Sequence, residues 1–211
     1  VGPGEGFSDL RPVGRVISAI ADTTTVLMVF FIGRRIYGYK VGVLAMALTA
    51  LAVIHIQLSH FFTVDTLLTL FTVTAMYFMC RVAKEGKLKH SILAGACIGL
   101  SLGTKASVLP IFAAFVMAHL MYLFWMNGLS ISKTDSFSHR RSSAVKGIGT
   151  GLLVSVGVLL IVQPYTFLDW SRFYSNVVEQ SEMVRRILDY PYTRQYIDTT
   201  SYWYHFRQLA T

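Results

Sequence analysis

Asp65 and Lys105 combine a residue type and a position suited to chemistry on a charged substrate. Each closes a corner between two apolar runs, in Ser59-His60-Phe61-Phe62-Thr63-Val64-Asp65 and in Gly99-Leu100-Ser101-Leu102-Gly103-Thr104-Lys105. A carboxylate in such a place can take the proton of an attacking hydroxyl or support the group that does. A fixed ammonium can stabilise an anion as it forms. Both residues also have plain structural readings: Asp65 as the N-cap of the following helix, and Lys105 as a side chain snorkelling to the interface. His55 and Ser59 share a helix face upstream of this corner, as do Asp65, Thr69 and Thr72 downstream of it. His55, His60 and Asp65 do not have the spacing of a known metal-ligand pattern, and the first two also read as satisfied packing histidines. Asp22 and Arg15 lie in or at the start of the first apolar run. There an acidic group is costly unless it is near an interface or hydrogen-bonded to Thr24, Thr25 or a neighbouring helix.

The C-terminal stretch from Asp169 to Thr211 differs in kind. It carries Arg172, Arg185, Arg186, Arg194 and Arg207 against Asp169, Glu179, Glu182, Asp189 and Asp198. Tyr190, Tyr192, Tyr196, Tyr202, Trp203, Tyr204 and Phe206 then crowd into a short span. Aromatic residues at this density form an interfacial belt or line a site on which flat apolar faces, such as those of sugars, can stack.

The elements that must position these residues are set by a bilayer. Of the 211 residues 54% are hydrophobic and only 14% charged, with a mean hydropathy of +0.52. A soluble domain carries close to a quarter charged residues. The charges that remain gather between long apolar runs, as a solvent unable to satisfy polar groups requires. The runs Val16–Ile32, Val41–Phe62, Thr66–Cys80, Ser91–Thr104, Ser107–Met126 and Gly147–Leu168 predict an all-α, multi-pass bundle crossing the membrane about six times. The third and fourth runs are short and must borrow flanking residues. Cys80 and Cys97 lie in or beside apolar runs, where a thiol behaves as a small hydrophobe. The chain opens on Val1 without the pattern of a signal peptide and stops in mid-pattern at Leu209-Ala210-Thr211, so it is expected to be a stretch of a longer protein.

The net charge of +8 would suit nucleic acid, but its placement points to topology instead. Arg34, Arg35 and Lys40 fill the first connection, Arg81, Lys84, Lys87 and Lys89 the third, and Lys133, Arg140, Arg141 and Lys146 the fifth, eleven of the 19 basic residues. The second connection has none and the fourth only Lys105. Basic short loops stay cytoplasmic, so residues 1–14, the Asp65 corner, Lys105 and residues 169–211 are expected on the external face of a cell membrane. His139-Arg140-Arg141 can touch anionic lipid without a dedicated site. Nucleic acid is not an expected partner.

Several strings, in order and on consistent sides, carry a resemblance. Gly14-Arg15-Val16-Ile17-Ser18-Ala19 leading to Gly33-Arg34-Arg35-Ile36-Tyr37-Gly38 resembles a membrane helix of prokaryotic glycosyltransferase family 39 proteins. Ser59-His60-Phe61-Phe62-Thr63-Val64-Asp65, Gly103-Thr104-Lys105, Pro191-Tyr192-Thr193-Arg194-Gln195-Tyr196 and Tyr202-Trp203-Tyr204 are similar to later parts of the same family. These are the relatives of dolichyl-phosphate-mannose–protein mannosyltransferases and of the aminoarabinose transferase acting on lipid A, and the resemblance covers nearly the whole chain.

The resemblance implies a partial GT-C architecture and a glycosyltransferase that moves a sugar, with inversion, from a polyprenyl-phosphate donor in the membrane to a protein or lipid acceptor outside. It implies Arg15, Lys105 and Arg194 at the donor phosphate, Asp65 as a supporting acid, and His60, Gln195, Tyr192, Tyr196 and Trp203 around the sugar and acceptor. The resemblance fixes no cofactor beyond the lipid-linked sugar donor, and a divalent metal is compatible with the scheme. The chain departs from the family at its start, where Glu5 and Asp9 occur without the Asp-Glu pair that carries the main catalytic acid, so these residues alone are expected to be inactive. A polytopic transporter or channel, with Asp22, His55, Asp65 and Lys105 as an ion path, is the rival class, and a non-catalytic scaffold a second. Neither the internal repeats nor the mid-membrane helix breaks that a transporter would show are evident in the sequence.

Overall fold

A computed structural model describes residues 5–125, 134–185 and 187. Among the described residues every element is helical: α1 (Glu5–Tyr37), α2 (Tyr39–Ala50), α3 (Val53–Ser59), α4 (Val64–Glu85), α5 (Leu88–Thr104), a 3-10 turn (Ala106–Val108), α6 (Ile111–Trp125), α7 (Thr134–Val162), α8 (Tyr165–Leu168) and α9 (Trp170–Val184). Residues 1–163 and 164–211 form two compact units, and helices α1 to α7 belong to the first.

The bundle is a multi-pass membrane fold. Four stretches are long and apolar enough to cross a bilayer: Pro12–Tyr37, Val64–Glu85, Ala106–Phe124 and Ser138–Val162. The run Val41–Phe62 is broken. α2 and α3 meet at a 59° bend: Leu51 still bonds the Ala47 carbonyl, and Ala52 turns into extended backbone. Taken together they would make a fifth span. α5, expected as the fourth span, is 17 residues long, about 25 Å, and joins the two ends of α4: His90 near its start meets Glu85 and Lys105 at its C-cap meets Asp65. The last run ends at Val162 instead of Leu168, because Pro164 cannot continue the helix. Conversely, the short third run grows into the 22 residues of α4, since Arg81 and Lys84 extend its polar end.

α5 is short because it is the interior element. His90, Ser91, Ala94, Gly95, Ile98, Gly99 and Ser101 are all buried, and its most extensive contacts are with α7 and α4. Two stripes of small residues spaced by four make this possible, Gly95-Gly99 on α5 and Gly147-Gly151-Ser155 on α7. A Cβ at Gly95 would collide with the Gly151 carbonyl, and one at Gly99 would lie 2.5 Å from the Ser155 carbonyl. Without a hydrophobic effect between helices in lipid, backbone approach of this kind is a main source of association. Ala75, Met79, Val82, Ala94, Ile98, Ile111, Phe115 and Ala118 form the core among α4, α5 and α6. Inside it, His119 Nδ1 donates to the Phe115 carbonyl at 2.9 Å and its Nε2 accepts from Ser91 Oγ at 3.0 Å. The α1–α2 hairpin turns on Gly38, whose φ of 100° suits glycine.

Polar groups collect at the two ends of α1 and α4. At one end Glu85 is the shared acceptor of Arg35 (2.5 Å), Arg81 (3.3 Å), Lys87 (3.0 Å) and His90 (3.1 Å), and Lys84 Nζ donates to the Arg35 carbonyl at 3.0 Å. This cluster ties together the ends of α1, α4 and α5. Twenty residues separate Asp65 from Glu85 on α4, about 30 Å of helix, which matches the hydrocarbon thickness of a bilayer.

Candidate functional site

The opposite end of the bundle holds the residues singled out by the sequence. Asp65 is in the first turn of α4 but does not cap it: the N-cap position is Thr63, and no side chain caps the helix there. The capping reading is therefore corrected. The Asp65 carboxylate is turned outward instead, where Lys105 Nζ donates to its Oδ1 at 3.2 Å. Lys105 stands at the C-cap of α5 in extended backbone, which stops the helix and carries its side chain back across to α4. The side chains are 44% and 45% exposed, so the pair is open to solvent or a ligand and contributes little stability by itself. Lys105 thus has a specific anionic partner, which plain snorkelling would not provide.

α1 forms the adjoining wall. Gly14 is buried beneath Phe62, so closely that a Cβ there would overlap the ring, and this brings the start of α1 to the loop that precedes Asp65. Arg15 follows directly and is exposed. One turn further on, Thr66 Oγ1 donates to Ser18 Oγ at 3.3 Å, and both residues are buried. These contacts fix α1 to the first turn of α4 on the side next to Asp65.

Asp22 and His55 meet in the same half of the bundle. His55 Nδ1 donates to Asp22 Oδ1 at 2.6 Å, with side chains 24% and 18% exposed. Thr24 and Thr25 do not serve Asp22: their hydroxyls donate to the Ile20 and Ala21 carbonyls. The bend between α2 and α3 is thus bridged to α1 by a polar contact. No glycine or proline marks the bend, so periodicity alone gives no sign of it. The usable signal is that an intramembrane acid needs a partner, and His55 is the polar residue the neighbouring apolar run offers.

His60 caps α3 at its C-terminus and is exposed. Its Nδ1 donates to the Ile56 carbonyl at 2.6 Å, which leaves Nε2 as an acceptor facing outward. Among the described residues no group of three His, Cys, Asp or Glu side chains is arranged to hold a metal ion, and His55, His60 and Asp65 are engaged with different partners. Arg194, Gln195, Tyr192, Tyr196 and Trp203 lie outside the described residues.

Chemically, the corner offers a carboxylate and an ammonium in contact and partly exposed, with a guanidinium on the adjoining helix and an imidazole acceptor nearby in sequence. Such a set can hold an anionic leaving group and orient a hydroxyl. A search of curated proteins and one of solved structures returned no significant match. A scan of family models matched residues 7–164 to one described as dolichyl-phosphate-mannose-protein mannosyltransferase.

Proposed function

Because the chain belongs to the dolichyl-phosphate-mannose-protein mannosyltransferase family, a family of membrane glycosyltransferases, we propose that it transfers mannose or a related sugar from a polyprenyl-phosphate donor to a protein hydroxyl on the external face of a cell membrane. Inversion follows from a single displacement. The acceptor oxygen bonds to the anomeric carbon as the bond from that carbon to the phosphate oxygen breaks. The bonding pair leaves on the phosphate, and the hydroxyl proton goes to a carboxylate base. Negative charge grows on the phosphate, and preorganised cations at that point lower the barrier.

In this scheme Lys105 and Arg15 meet the donor phosphate with Arg194. Asp65 holds Lys105 in place and supports the base. His60, Gln195, Tyr192, Tyr196 and Trp203 surround the sugar and acceptor. The observation that carries the reading is the Lys105–Asp65 contact at 3.2 Å, half exposed at a helix corner. It keeps a cation aimed by a partner that a phosphate can replace. Family membership favours this over an ion path. Release of polyprenyl phosphate from a matched donor, measured for the protein and its Lys105→Ala and Arg15→Ala variants, tests it. Full activity in both variants would remove the phosphate-clamp role.

A further inference from the structure

At the end of the bundle away from the Asp65 corner, the outer faces of α4 and α6 and the end of α1 enclose an open cavity of about 760 Å³. Its lining is apolar except for Lys84, with Ile36, Met76, Met79, Met117 and Met121 along its walls. Met76, Met117 and Met121 are 49%, 55% and 43% exposed, so the groove is a surface feature and not a void in the core. From Met76 to Lys84 it follows α4 for about 12 Å. Unbranched, polarizable methionines suit an irregular and flexible apolar chain better than a rigid partner surface.

Charge selects among apolar occupants. Lys84 ends the groove and is exposed; its Nζ spends one donor on the Arg35 carbonyl and keeps two. Arg34, Lys40 and Lys89, in or beside the helix ends and connections of the same end, are exposed and in no ion pair among the described residues. The acid of this end, Glu85, is already shared by Arg35, Arg81, Lys87 and His90. The excess positive charge sits where a bilayer places its phosphates, one helix length from Asp65.

We propose that this groove is a binding site for an anionic membrane phospholipid, one acyl chain lying along α4 and α6 and the headgroup phosphate on Lys84. The site is distinct from the Asp65–Lys105 corner and independent of the transfer reaction.

The test is native mass spectrometry of the full chain released from nanodiscs containing equal amounts of phosphatidylglycerol and phosphatidylcholine with the same acyl chains. One phosphatidylglycerol should be retained in preference to phosphatidylcholine. Lys84→Gln should lower its retention about fivefold, the effect of one basic residue at an anionic surface. Met117→Trp, which fills the groove, should lower retention of both lipids. Circular dichroism must show unchanged helix content in each variant; Met121→Phe replaces Met117→Trp if the latter misfolds. Equal retention of the two lipids, or a Lys84→Gln variant that binds as before, overturns the proposal. Displacement of phosphatidylglycerol by equimolar polyprenyl phosphate also overturns it, assigning the groove to the chain of a sugar donor.

Discussion

His55 Nδ1 and Asp22 Oδ1, 2.6 Å apart, join two helices at the point where one of them follows a 59° bend. α3 is only seven residues long and has no buried residue of its own, so a short hydrogen bond to a carboxylate is a large part of what holds it to α1. Removing either partner leaves the other poorly satisfied in an apolar setting. Hydrogen bonds to charged groups contribute about 1.5–3 kcal/mol, and His55→Ala or Asp22→Ala should each destabilise the protein by that amount. The double variant should cost little more than either single one. Thermal unfolding in detergent, analysed as a double-mutant cycle, checks this; additive losses would show that the two side chains do not act together.

Lys105 and Asp65 should behave in the opposite way. Their half-exposed contact is expected to contribute less than about 1 kcal/mol to stability, so Lys105→Ala should unfold at nearly the temperature of the parent. Its activity should fall steeply, because loss of one preorganised donor to a developing anion costs about 2.7–4 kcal/mol, or roughly 10²–10³ in rate. Arg15→Ala should resemble it. A Lys105→Ala variant that loses stability and activity in proportion would make Lys105 a structural residue.

The α5–α7 interface has no room for side chains at Gly95 or Gly151. Gly95→Leu should destabilise the fold by about 1–3 kcal/mol or more, as overpacking does, and Gly151→Leu likewise, since a Cβ there meets the Phe115 ring. Gly149 and Gly157 lie on the same helix with nothing near their Cβ positions. Gly157→Leu should therefore be tolerated. Comparable losses at Gly95 and Gly157 would mean that backbone approach is not what joins these helices.

The membrane class, the helical fold and the corner positions of Asp65 and Lys105 were legible because they rest on local signals: apolar length, charge clustering and residue type at the end of a run. The bend inside one apolar run and the interior place of another were not, because hydropathy does not tell which neighbour a run will meet. Val41–Phe62 breaks at Leu51-Ala52 with no glycine or proline to mark it, while Ser91–Thr104 becomes a short interior helix. That fate is decided by the partner stripe on α7, fifty residues away. Gly95 and Gly99 stand four residues apart, but their use as a packing stripe shows only when α7 is laid against them, which depends on the tertiary arrangement. Asp22 was recognisable as an acid in need of a partner, and only the bend shows that His55 is within reach. The Glu85 cluster was equally hard to see, since Arg35, Arg81, Lys87 and His90 look like unrelated loop charges until α1, α4 and α5 end together.

Sidedness decides whether the Asp65–Lys105 corner can serve an external acceptor. The two polar ends of α4 differ in sign balance: Glu85 is shared by Arg35, Arg81 and Lys87, with Lys84 on the Arg35 carbonyl, while Lys105 is paired with Asp65. Short loops rich in lysine and arginine remain cytoplasmic, so the Glu85 end and Arg141 should face inward and the Phe61–Asp65 loop outward. Cys80 and Cys97 are partly buried thiols and can be replaced by alanine to give a clean background. In that background single cysteines at Lys87 and Arg141, both exposed, should resist a membrane-impermeant thiol reagent in intact cells and react once the cells are opened. A cysteine at Phe61, which is 59% exposed, should react in intact cells. Labelling of Arg141→Cys from outside, together with protection of Phe61→Cys, would invert the bundle. The Asp65–Lys105 corner would then face the cytoplasm, and the proposed external transfer would fail with it, whatever the activity of the Lys105 variant.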